Sequence, residues 1–87
     1  MGLFVEIRFT ESEGWVPAIN RNPTASTFET PEQVQQAVPK AILGMGTSFR
    51  VTDTETKSRL AEGNIPKDGL AAFALLIKHA LFKGKDP

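Results

Sequence analysis

The chain contains no cysteine, a single histidine and a single tryptophan in 87 residues. Without cysteine there is no disulfide, no thiolate nucleophile and no thiolate metal site. There is also no excess of charge: ten Lys plus Arg balance ten Asp plus Glu. Bulk charge therefore gives no reason to propose nucleic acid or a membrane surface as partner. Long apolar runs are missing too. The longest, Leu70 to Ile77, has eight residues, against about 20 for a spanning helix. The opening stretch MGLFVEIRFT carries Glu6 and Arg8 and no basic leader, so it does not read as a signal peptide. Gly2 follows Met1, but Glu6 stands where a myristoylation signal prefers Ser or Thr. The expectation is a soluble cytoplasmic protein without a membrane partner.

What is present is ordinary globular material, about 40% hydrophobic and 23% charged in 9.5 kDa. That size suggests one compact domain, residues 1–84, with a frayed tail at 85–87. Leu3, Val5, Ile7 and Phe9 alternate with Phe4, Glu6, Arg8 and Thr10, the period of a strand with one apolar face. Thr10 to Gly14 reads as a turn. Trp15 to Ile19 reads as a short edge strand, because Pro17 cannot donate a ladder bond. Asn20 to Pro23 is a second turn, and Thr24 to Phe28 a further short strand.

Thr30-Pro31-Glu32-Gln33 is a helix start, with Thr at N-cap, Pro at N1 and Gln at N3. Gln33 is expected to reach back to the Thr30 amide. Val34, Ala37, Val38 and Ala41 continue at helical spacing. Pro39 removes a bond to the Gln35 carbonyl, which predicts either a kink or a helix ending at Val38. Gly44 and Gly46 stop the segment.

Alternation resumes at Ser48 to Thr52, and Asp53 to Thr56 is a polar turn. With Thr54 and Glu55 at the tip, Arg50 faces Arg59, Thr52 faces Lys57 and Phe49 faces Leu60. Glu62 to Asn64 reads as a break. The last helix follows, with Asp68 as N-cap. Its core stripe is Leu70, Phe73, Ala74, Ile77 and Leu81, with Lys78 and Lys83 toward its C-terminal half and Gly84 as cap. The fold class is therefore α+β: a small antiparallel or mixed sheet covered on one face by two helices, in the order β(β)(β)αββα.

The chemical inventory is thin. His79 lies opposite the Leu70/Ile77 stripe, where a lone histidine is ordinarily a surface residue. Asp53-Thr54-Glu55 lacks the glycine and terminal acid of a calcium loop. Gly44-Met45-Gly46 follows a helix and precedes a strand, the reverse of a phosphate loop. Ser12, Ser26 and Ser58 have no histidine at a recognisable spacing. No catalytic, cofactor or metal residue is assigned.

Two surfaces remain. Leu75 and Phe82 are seven apart on the last helix, roughly 120–140° from the centre of its core stripe. Exposed, they would form a protein-binding patch with Lys78 as polar margin and Trp15 as a further anchor. The alternative is a basic sheet face, with Arg8, Arg50, Lys57 and Arg59 for phosphates and Phe4 for stacking. The leading expectation is a small non-enzymatic protein-binding module. It would be an inhibitor or accessory factor acting through the C-terminal helix on another protein or a second copy. A nucleic-acid binder comes second and a small enzyme third.

Overall fold

The computed structural model describes residues 2–82. Its elements are β1 (Leu3–Arg8), β2 (Val16–Pro17), β3 (Thr27–Phe28), α1 (Pro31–Ile42), β4 (Ser48–Asp53), β5 (Arg59–Asn64) and α2 (Leu70–Phe82). This is the expected α+β order, and every strand pair is antiparallel. The sheet runs β2-β1-β4-β5, with β3 also paired to β1. The expected tail at 85–87, Lys83 and the Gly84 cap lie outside the described residues.

The period of two in β1 sets the layers. Leu3, Val5 and Ile7 are buried, while Phe4, Glu6 and Arg8 are half-buried on the other face. Phe49 and Val51 of β4 and Ala61 of β5 extend the buried face. Val34, Val38 and Ile42 of α1 and Phe73 and Ile77 of α2 close over it. Phe73 meets Phe49 edge-on, with ring centroids 5.7 Å apart at 71°, the favoured aromatic geometry. A Cβ on Gly63 would stand 3.2 Å from Phe49 Cε1, so the missing side chain is what seats this ring.

The α1 start follows from its sequence. Gln33 N donates to Thr30 Oγ1 at 3.2 Å, and Pro31 occupies the first turn. The Gln33 side chain reaches back one residue further than expected, accepting from Glu29 N at 2.9 Å. The helix does not end at Val38. It continues through the buried Pro39 to Ile42, and Leu43 N donates to Pro39 O at 3.0 Å. Gly46 then turns the chain at φ +70, where a Cβ would meet Arg8 O at 2.8 Å. Only glycine fits that approach.

The irregular stretch before α1 is clasped by Ser26, which is fully buried. Its Oγ accepts from Ile19 N at 2.9 Å, and its carbonyl accepts from Val5 N at 2.9 Å. One small polar residue thus ties two turns to the central strand.

The β4–β5 hairpin departs from the expected register. Arg50 faces Glu62, Phe49 faces Gly63 and Thr52 faces Arg59, with a bulge that leaves Leu60 as the extra residue. Asp53 is the cause of the wider turn. Its Oδ1 accepts from Glu55 N at 2.8 Å, its carbonyl accepts from Lys57 N, and its amide donates to Ser58 O. Lys57 takes a left-handed φ of 64 to close the loop. Glu62 to Asn64, read as a break, is strand. Two helix positions also differ. The first bond of α2 runs from Phe73 N to Gly69 O, so Asp68 lies one residue too early to be the N-cap. Leu70, expected in the core, is 45% exposed, because it sits on the first turn beyond the sheet's cover.

Candidate docking surface

The two helices differ in how their sequences are sorted. In α1, the buried residues Val34, Val38 and Ile42 fall on one stripe, and Glu32, Gln33, Gln36 and Lys40 face solvent. In α2, LAAFALLIKHALF, the only polar residues are Lys78 and His79. Alanine and leucine make this a strong helix former, but a helix apolar all round calls for cover all round. The sheet and α1 cover only part of it. Phe73 and Ile77 are buried, and Ala80 and Leu81 pack against the core from its rim. Leu75 is 52% exposed and Leu76 44%, with Ala71 and Ala72 exposed beside them.

The apolar surface continues toward β5. A Cβ on Gly63 would lie 3.8 Å from Leu76 Cδ2, so Leu76 leans over that strand. Beside it, Leu60, Ala61, Ala80, Arg59 and Glu62 line a shallow hollow of about 290 Å³, and Leu60 is itself exposed. Of the residues singled out from sequence, Leu75 is on this surface and Lys78 is exposed near its margin. Phe82 is half-buried at the helix end. Leu76 was missed because the wheel was read on one flank of the solvent side only.

Trp15 lies elsewhere. The Arg8 and Arg50 guanidinium carbons stand 4.8 and 4.4 Å from its ring centroid, which places it on the open face of the sheet, away from the helices. These cation–π contacts set the two arginines against the indole. Arg8 Nε is buried without a hydrogen-bond partner, and the indole is the favourable contact its guanidinium has.

The open face also gathers most of the residues weighed for nucleic acid. Phe4, Arg50, Lys57 and Arg59 line a groove of about 340 Å³ together with Glu6, Thr52, Asp53 and Thr54. Arg8 lies outside it, beside Trp15. The face is not uniformly basic, because the register brings in acids. Arg50 Nε donates to Glu6 Oε1 at 2.8 Å, and Arg59 Nη1 donates to Glu62 Oε1 at 2.8 Å. The sequence pattern, three residues out of register at this point, sets Arg50 against Arg59 where Glu62 stands.

Among the described residues, no cluster of His, Cys, Asp and Glu is arranged to hold a metal ion. His79 is exposed on the outer side of α2, while Ser26 is committed to the clasp below the sheet's edge. No described helix is long and apolar enough to cross a membrane. Compared with known proteins, the chain matches no family model, no curated protein and no solved structure.

Proposed function

We propose that this chain is a protein-binding module that docks through the outer face of α2. One observation carries the reading: Leu75 and Leu76 are 52% and 44% exposed, beside exposed Ala71 and Ala72, on a 13-residue helix whose only polar side chains are Lys78 and His79. Scattered single apolar residues on a surface need no explanation, but a contiguous face does. The polar outer face of α1, in the same small domain, supplies the contrast. Nothing about packing on this sheet requires an apolar exterior.

The open sheet face supports a phosphate-binding reading less well. Two of its four cations are held in ion pairs, and a third, Arg8, lies against Trp15. A phosphate would have to compete with carboxylates already in place.

Replacing Leu75 and Leu76 together by Glu tests the docking reading. Helical circular dichroism should be retained while association through α2 is lost. Loss of the fold in this variant would make these side chains part of the core.

A further inference from the structure

We infer that the partner on this face is a second copy of the chain, docked two-fold with the two α2 helices antiparallel. The inference rests on the docking reading above and names its occupant.

At 100° per residue, Leu75 stands directly opposite the buried Phe73 and Ile77, with Ala72 and His79 beside it on the flank toward Leu76. Ala72, Leu75 and His79 are spaced three and four apart, the spacing of a helix-pairing seam. A two-fold contact requires a patch that complements itself, and this one does so in one sense only. With the axis between Phe73 and Ala74, antiparallel pairing sets Ala72 against Leu75 of the second copy, and Leu75 against its Ala72. Each small side chain then meets a large one, as interdigitated packing needs. Parallel pairing would instead set leucine on leucine and leave a gap between alanines.

Charge selects the same sense. Asp68 is exposed just ahead of the helix, beside exposed Lys67, and Lys78 and His79 are exposed near its other end. Antiparallel copies bring the acid of one to the basic end of the other, and oppose the helix dipoles. Parallel copies would bring Lys78 to Lys78.

The β5 edge of the sheet offers no competing route. Edge strand β5 is bulged at Leu60, and Arg59 and Glu62 are ion-paired along it. Bulges and charges are what turn an added strand away. The contact is confined to one 13-residue helix per copy, so the expected dimer is at the small end of interface sizes.

Sedimentation equilibrium of the full chain, from about 1 μM to several hundred micromolar, tests the pairing. The wild type should rise from 9.5 kDa toward twice that mass. Leu75→Glu should stay monomeric. Ala72→Leu should also stay monomeric by overfilling the small side, and Ala72→Leu with Leu75→Ala should restore the dimer by exchanging small and large. A wild type that remains monomeric, with Leu75→Glu folding normally, overturns the second copy and leaves docking to a different protein standing. A dimer untouched by Leu75→Glu overturns both the pairing and the use of α2. A dimer lost in Ala72→Leu but not restored by the exchange overturns the antiparallel register.

Discussion

Leu75 and Ile77 are two residues apart in α2, yet Leu75 is 52% exposed and Ile77 is fully buried. The helix turns about 200° between them, so one points into the sheet and the other directly away. Both are large aliphatics, and only Ile77 has a reason within this fold to be one.

The start of α1 is the simplest test of the local reading. Thr30→Ala removes the acceptor for Gln33 N and should cost about 1 kcal/mol. Urea unfolding with an unchanged slope measures it. A change below about 0.2 kcal/mol would mean that the cap adds nothing.

Ser26→Ala should cost about 1–3 kcal/mol, because it leaves the Ile19 amide without its partner in a closed site. Chemical denaturation gives the value, and hydrogen exchange at Ile19 should accelerate in step. Unchanged protection there would show that another acceptor replaces the hydroxyl.

Gly46→Ala should destabilise by about 1–3 kcal/mol. The position needs a positive φ, and the added Cβ would lie 2.8 Å from Arg8 O. Thermal unfolding reads the loss. A neutral substitution would mean the 44–46 turn can move away from β1.

Trp15 reports the open face selectively, since it is the only tryptophan. Arg50→Ala should change its emission by removing one guanidinium from its ring, whereas Leu75→Glu on the opposite layer should not. Titration with single-stranded DNA or RNA should leave the emission unchanged at physiological ionic strength. A saturable change that weakens steeply with salt would instead assign the groove at Phe4, Lys57 and Arg59 to phosphates.

Much of the fold was legible because local signals agreed with the tertiary outcome. Alternation in Leu3 to Arg8 gave β1 and its buried face, and Thr30-Pro31 gave the start of α1. The hairpin was not legible to the residue. Its register depends on the Asp53 side chain closing a wider loop and on a bulge at Leu60, and neither changes the apolar pattern. That one shift replaced an arginine with Glu62 beside Arg50, and with it the apparent charge of the open face. Ser26 gave no signal, since a serine in a turn looks the same whether it faces solvent or clasps two loops. In α2 the excess of apolar residues was visible from composition. Which of them were covered depended on where α1 and β5 lie, so Leu70 is left uncovered at the helix start and Leu76 joins Leu75.

The most direct test of the docking face compares the urea unfolding of Leu75→Glu with that of Ile77→Glu, both at low protein concentration. Leu75→Glu should lie within about 0.5 kcal/mol of the wild type, as surface changes do. Ile77→Glu should fail to fold, because it buries an unpaired charge. A loss of several kcal/mol in Leu75→Glu would contradict the account, since it would place Leu75 in the core and leave α2 without an outer face to offer.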